Sequence, residues 1–350
     1  MQRLALSPEQ TTDQPPPVLP ALGEQADIVY YAAPARRILN PPAATGMEFW
    51  SINPYVGCAF GCAYCYARYA HRYTLQRAGA EAADLPPWLA FERRILVKER
   101  APELLRRELL GGGRRTMPAR GDVVVVGTAT DPYQPAERRF RITRGVLETL
   151  AECRGLRVTI VTKSPLVTRD VDVLARIAGR SSLSIHLSLI TLDRELARRL
   201  EPRAPTPEAR VRALARLREA GIDAGVNVMP VLPGITDGPQ ALEALVRRIA
   251  EAGATFAGAC ALRLQATARE RYLPFIEAEF PHLAACYRAA YGGGHQMGVR
   301  YREGLARTFA RLCARYGVRV WGGARDEPDD AGGAVRGEAA AGASQLALPL

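Results

Sequence analysis

The chain has 350 residues, 48% hydrophobic and 24% charged, with a formal net charge of +11. That composition is ordinary for a folded protein of one large domain or two, and no stretch of apolar residues is long enough for a membrane span. Seven cysteines, an odd number, follow an N-terminus without the apolar core of a secretory signal, which argues against a disulfide framework and for a cytoplasmic protein.

Lysine and arginine total 47, yet only Lys98 and Lys163 are lysines. The excess positive charge suits a phosphate-bearing partner such as nucleic acid, and equally an arginine-biased surface.

Residues 1–25 are rich in Pro, Gln and Ala without a period, and read as a disordered arm. Within a main domain of 26–265, strand and helix patterns alternate from about 50 to 265. Ser51–Val56 is a short strand running into a cysteine-rich loop. Asp122–Thr128, DVVVVGT, is a continuous β-branched run, as in a strand buried on both faces. Arg157–Thr162, Leu183–Leu189, Asp223–Val228 and Phe256–Leu264 read alike. Helices are predicted over Arg138–Glu152, Pro207–Ala220 and Gln240–Ala252, the last two ending at Gly221 and Gly253. Residues 266–325 form a small helical C-terminal subdomain, and 326–350 a second disordered tail.

Strands alternating with helices build a parallel sheet whose strand C-termini share one edge. A closed eight-stranded barrel needs about 250 residues, and the alternating region is shorter. The predicted fold is therefore α/β, a partial (β/α)6 barrel with a small helical C-terminal subdomain.

The loop after the first strand reads Cys58-Ala-Phe-Gly-Cys62-Ala-Tyr-Cys65. Three thiols at this spacing can bind one metal centre, and cysteine thiolates are the usual ligands of iron–sulfur clusters. Three thiolates on four irons leave one iron open, as a catalytic centre requires. The alternative is a Cys3His zinc site with His71 as fourth ligand, in a non-catalytic nucleic-acid-binding module. Cys153, Cys260, Cys286 and Cys313 are scattered and read as small core residues.

The C-x3-C-x2-C spacing, with Tyr64 just before the third cysteine, resembles the radical S-adenosylmethionine (SAM) superfamily. Further segments match its branch containing spore photoproduct lyase and DNA repair photolyase-like relatives. They are Gly127–Pro135, Thr162–Ser164, Ser184–Thr191, Glu201–Thr206 and Pro230–Gly234. The resemblance implies a partial barrel of the radical SAM type, a [4Fe–4S] cluster on Cys58, Cys62 and Cys65, and SAM as second cofactor. It also implies reductive cleavage of SAM to a 5′-deoxyadenosyl radical, and a low-potential reductant such as flavodoxin or ferredoxin.

By the same resemblance Lys163 contacts the methionyl part of SAM, and Ser188 and Thr130 match further contact positions. Tyr64 and Tyr66 match tyrosines implicated in hydrogen-atom transfer. Asp131 either binds ribose hydroxyls or caps the following helix. Glu201 and Arg203 are placed to form an ion pair, with Arg203 within reach of cofactor or substrate. His186 is either a barrel-interior histidine near the cofactor or a satisfied core histidine. The chain departs from the branch at Thr128, where the family carries a hydrogen-donating cysteine. Cys260, near the end of the sixth strand, is either a substitute donor or a core residue.

Overall fold

The structure is a computed structural model that describes residues 20–68, 85–111 and 117–321. His71 and residues 322–350 lie outside them, as do residues 1–19 of the predicted arm. The last residues of that arm are not disordered. Ala21–Gln25 (β1) pairs antiparallel with Ile28–Ala32 (β2). Leu39–Asn40 (β3) pairs antiparallel with Trp50–Ile52 (β4).

The first predicted strand divides after Ile52. Tyr55–Val56 (β5) leaves β4 and pairs antiparallel with Arg94–Val97 (β6). The break falls at Asn53-Pro54, because proline has no N–H to continue a ladder. β6 also pairs parallel with β2, completing a four-stranded sheet in the order β1-β2-β6-β5. That sheet carries the chain directly into the cysteine loop.

The main sheet adds Val123–Val126 (β7), Arg157–Thr162 (β8), Ser182–Ser188 (β9), Ala224–Val231 (β10), Phe256–Ala261 (β11) and Arg319–Val320 (β12). Its order is β12-β11-β10-β9-β8-β7-β4-β3. From β4 to β12 every neighbouring pair is parallel. β4 and β7–β11 follow one another in sequence order and are the six strands of the partial barrel. The β-branched runs are covered on both faces. Val124 and Val126 join the main core, while Val125 packs with Met47 and Phe49 on the other side.

The predicted helix Arg138–Glu152 is two helices, Ala136–Phe140 and Ile142–Leu150, broken at Arg141 with φ 53°. The buried Glu137 carboxylate spans the break and accepts from the Thr143 and Arg144 amides at 2.8 and 3.2 Å. It thereby satisfies donors that a helix start leaves open.

The C-terminal region holds the helices Ala266–Glu279, Ala284–Gly292 and Val299–Arg315. The first two contribute Tyr272, Phe275, Tyr287 and Tyr291 to a second core shared with Cys58, Phe60, Cys62 and Tyr64. The helical region therefore walls the cysteine loop. Cys313 is buried as predicted. Cys286 is exposed, because its helix turns Ala284, Tyr287 and Tyr291 inward. Among the described residues no helix is long and apolar enough to cross a membrane.

Candidate active site

The C-terminal ends of the barrel strands open onto a cleft with about 1130 Å³ of empty space. Its walls include the three loop cysteines, Tyr64, Tyr66, Thr128, Thr130, Asp131, Lys163, Ser188, Asn227 and Cys260. Of the described residues singled out by sequence, Arg203, Glu201 and His186 do not line it.

Gly127 ends β7 with φ 98°, and a Cβ there would stand 2.6 Å from both Pro132 Cδ and the Val161 carbonyl. Only glycine accepts that conformation and closeness. The turn it permits brings Thr128–Asp131 under the cysteine loop. There the Thr130 hydroxyl donates to the Gly57 carbonyl (2.5 Å), as does Gln134 Nε2 (3.1 Å). Gln134 Oε1 accepts from the Ala59 amide at 2.9 Å. Thr130 and the buried Gln134, the latter not singled out by sequence, thus hold the loop from beneath.

Asp131 is bound by its own chain. One oxygen accepts from the Tyr133 amide (2.9 Å) and the Thr162 hydroxyl (2.7 Å), and the other from the Lys163 amide (2.7 Å). It ties the end of β7 to the end of β8, a turn-type use of aspartate. Burial raises its pKa, against those hydrogen bonds.

Two loop thiols, Cys58 and Cys62, are buried, and Cys65 is half-buried. Burial, with the charges of Asp131 and Cys65, pushes the Cys58 thiol up to about 12. Burial also raises Cys62, against the nearby Lys163 ammonium. Thiols in this setting become thiolates only when a positive centre takes up their charge. The donor set and its opening onto a roomy cleft fit an iron–sulfur centre. Among the described residues no three His, Cys, Asp or Glu side chains converge on a single-ion site.

Behind the loop the predicted Glu201–Arg203 ion pair is absent. Glu201 Oε2 pairs with Arg210, and Oε1 accepts from the Tyr64 hydroxyl. Lys163 Nζ stands 4.0 Å from Glu201 Oε1 and 5.8 Å from the centre of the Tyr64 ring. Arg210 also donates to the Ser188 carbonyl (3.0 Å) and the Pro205 carbonyl (2.9 Å). Burial opposes its charge, yet Arg210 and Lys163 hold Glu201 below the usual carboxylate range. Burial likewise opposes the Lys163 ammonium, and the charges of Cys62 and Glu201 outweigh it. Arg203 turns the other way, donating to the Ala59 carbonyl (2.5 Å) and to Glu92 Oε2 (2.8 Å). The sequence neighbour lost to a partner in the first turn of the next helix. Arg210 sits at a core spacing with Pro207, Val211, Leu214 and Leu217, and a buried arginine in an apolar stripe demands a carboxylate.

His186 is a satisfied core histidine. Its Nε2 meets Ser184 Oγ at 3.2 Å and its Nδ1 meets Asn227 Oδ1 at 3.1 Å. Its ring packs 4.5 Å from both Phe256 and Trp321. Asn227, not singled out by sequence, links it to the cleft. Tyr66 donates to the Thr128 carbonyl. The Thr128 hydroxyl accepts from Asn53 Nδ2 at 3.0 Å. Cys260 is a cleft-wall thiol, pushed up to about 11 by burial.

The Radical SAM superfamily model matches residues 52–249. An uncharacterized protein of Mycobacterium tuberculosis is 34% identical over 305 residues, 87% of this chain and 85% of the relative. An uncharacterized protein of Methanocaldococcus jannaschii is 29% identical over 204 residues, 58% of this chain and 68% of the relative. Among solved structures, a cysteine-to-serine mutant of spore photoproduct lyase superposes with a TM-score of 0.56 at 17% identity, over 77% of this chain and 75% of that one. A double mutant of that enzyme with bound AdoMet and dinucleoside spore photoproduct gives 0.55 at 16% identity, over the same shares.

Proposed function

Since this chain belongs to the radical SAM superfamily, a family of iron–sulfur, SAM-dependent enzymes, we propose that Cys58, Cys62 and Cys65 hold a [4Fe–4S] cluster and that the adjoining cleft takes SAM and a substrate for hydrogen abstraction. The observation that carries this is the convergence of those cysteines with Lys163 and Ser188 on one cleft at the strand C-termini, the edge where parallel barrels place their chemistry.

When bound, the cluster supplies the electron that cleaves SAM to a 5′-deoxyadenosyl radical. Lys163, kept charged by Glu201, holds the methionyl carboxylate as a point charge. The Ser188 hydroxyl adds a polar contact on the next strand. Asp131 fixes the Lys163 backbone, and Thr130 fixes the loop. Phe60 and Phe91 line the cleft and exclude water. Tyr64 and Tyr66, both on the cleft wall, take the hydrogen-atom-transfer role that the family resemblance implies. Thr128 carries no thiol, so the reaction of spore photoproduct lyase is not assigned to this chain. A net charge of +11 supports a phosphate-bearing substrate such as nucleic acid.

The test is anaerobic reconstitution with iron and sulfide, reduction by dithionite with SAM, and assay of 5′-deoxyadenosine. Product in wild type and none in Cys62→Ala is expected. Cys58→Ala, Cys62→Ala and Cys65→Ala each lose iron, and Cys153→Ala keeps it. Equal iron loss in all four, or zinc bound in place of iron, favours the non-catalytic metal-binding module and overturns the proposal.

A further inference from the structure

A file of polar side chains climbs the interior of the barrel to the cleft. Side chains alternate along a strand. Leu183, Ile185 and Leu187 of β9 join the main core, and Ser184, His186 and Ser188 face the barrel interior. At the lowest level Thr159 Oγ1 of β8 meets Ser184 Oγ at 3.3 Å. Ser184 Oγ meets His186 Nε2 at 3.2 Å, and His186 Nδ1 meets Asn227 Oδ1 of β10 at 3.1 Å. Of these four only Asn227 reaches the cleft wall.

The order of the contacts fixes where each proton points. Burial keeps the imidazole neutral, so one ring nitrogen donates and the other accepts. A carboxamide oxygen only accepts. Nδ1 therefore carries the proton, and Nε2 accepts from the Ser184 hydroxyl. Phe256 and Trp321, each 4.5 Å from the ring, hold it in place. The Asn227 amide is thereby locked, with its oxygen turned to His186 and its Nδ2 left for the cleft. Asn227 and Ser188 are only 2% and 6% exposed. Yet among the described residues neither Asn227 Nδ2 nor the Ser188 hydroxyl has a hydrogen-bond partner.

Asn227 pairs with Ser188, and Thr162 with Leu187. Lys163, Ser188 and Asn227 thus stand at one level on three successive strands. Asn227 is two strand spacings, about 10 Å, from Lys163 along the sheet. Lys163 holds the methionyl carboxylate, so Asn227 stands on the side of the adenosyl part. The wall around it is apolar, with Met229, Pro230, Ala261 and Leu262, as a flat base requires.

We propose that Asn227, oriented by His186, donates from Nδ2 to an acceptor on the adenosyl part of SAM, a ribose oxygen or a ring nitrogen, beside the Ser188 hydroxyl. His186 touches no ligand and is a positioning residue. It turns an amide that offers either end into a fixed donor, and a donor fixed before the ligand arrives lowers the cost of binding. This rests on the radical SAM reading of the cleft.

The test is equilibrium binding of SAM and of S-adenosylhomocysteine to the cluster-loaded full chain, without reductant, so that no turnover is needed. Asn227→Ala should raise both Kd values about ten-fold, the loss of one hydrogen bond. His186→Phe keeps a ring between Phe256 and Trp321, and should raise them about three-fold by freeing the amide. In the Asn227→Ala background His186→Phe should add nothing, because it acts through Asn227. Bound iron, and binding of methionine alone, should be the same in all four proteins.

Unchanged Kd values in Asn227→Ala overturn the proposal, and so does an equal loss of methionine binding, which would place Asn227 at the methionyl end. A His186→Phe effect that persists in the Asn227→Ala background overturns the positioning role, because a loosened barrel would act without Asn227. Should His186→Phe not fold, Ser184→Ala removes the donor to Nε2. It should raise the Kd values about two-fold in wild type and not in the Asn227→Ala background, and no effect in either overturns the positioning role. A wild type that holds iron but binds neither SAM nor S-adenosylhomocysteine refutes the cleft reading, and this inference with it. Unchanged Kd values in Asn227→Ala refute the inference alone.

Discussion

Arg210→Met is the substitution expected to damage the site most without touching a cleft wall. Arg210 and Glu201 are each 2% exposed, and their pair is the centre of the network behind Tyr64 and Lys163. Methionine fills the volume and removes the charge. Glu201 is then a buried carboxylate with Tyr64 as its close partner and Lys163 at 4.0 Å. Breaking a buried pair by removing one partner costs about 3–5 kcal/mol, whereas replacing both by apolar groups is far cheaper. Urea unfolding of the metal-free protein measures both. The single variant should lose that amount, and Arg210→Met/Glu201→Met should recover most of it.

Acid should narrow the difference. Glu201 titrates below its ordinary range in the wild-type fold, so the stability it gives is present above the unfolded carboxylate pKa and is lost as pH falls through the folded one. In the variant, protonation removes the buried charge that carries the penalty. A loss below about 1 kcal/mol, or a double variant as unstable as the sum of its singles, would refute the reasoning, because a coupled buried pair cannot give either result.

His186 and Gly127 give two further expectations. Burial pushes the His186 imidazole down to about 4 from its ordinary 6.5. Above the unfolded value it is neutral in both states. As pH falls towards the folded value, only the unfolded chain takes up the proton, so about 3 kcal/mol of stability is lost over that window. Urea midpoints of wild type and His186→Gln across the window should diverge in slope, and parallel curves would show that the ring is already solvated. Gly127→Ala places a methyl 2.6 Å from Pro132 Cδ and the Val161 carbonyl at φ 98°, and should cost about 2 kcal/mol or more. An unchanged thermal midpoint would mean the turn after β7 relaxes freely.

What was legible in the sequence is what local pattern controls. A buried parallel strand announces itself as a β-branched run, so β7–β11 stand within a few residues of their expected bounds. The cysteine spacing is contained in eight residues and needs no tertiary knowledge. Partner choice across the chain was not legible. Glu201 was matched to the nearest arginine in sequence, but Arg203 leaves the turn towards Ala59, and Arg210 returns on the buried face of the next helix. The small sheet was missed for a related reason. β2 and β6 pair across more than sixty residues, and neither strand has a period strong enough to predict its partner. Asn227 left a readable trace, a polar side chain inside an apolar strand, where a buried amide must find a partner.

The use of lysine shows how chemistry sorts the basic residues of this chain. Of 47 lysines and arginines only two are lysines, Lys98 just past β6 of the small sheet and Lys163 just past β8 of the barrel. Lys98 Nζ donates to the Asn53 carbonyl at 2.8 Å, just past β4, and burial pushes its pKa down to about 8. Asn53 in turn receives the Ala129 amide at 2.8 Å and reaches Thr128, so Lys98 braces the two turns that frame the cleft. Lys163 ends β8 against Glu201. Arginine dominates where breadth is useful. Arg210 spans Glu201, Ser188 and Pro205, and Arg203 spans the loop and Glu92. A guanidinium binds two acceptors at fixed angles, whereas an ammonium approaches a single point. The cysteine loop thus lies between a lysine at the cleft wall and a layer of arginines, Arg68 and Arg203, on its outer side.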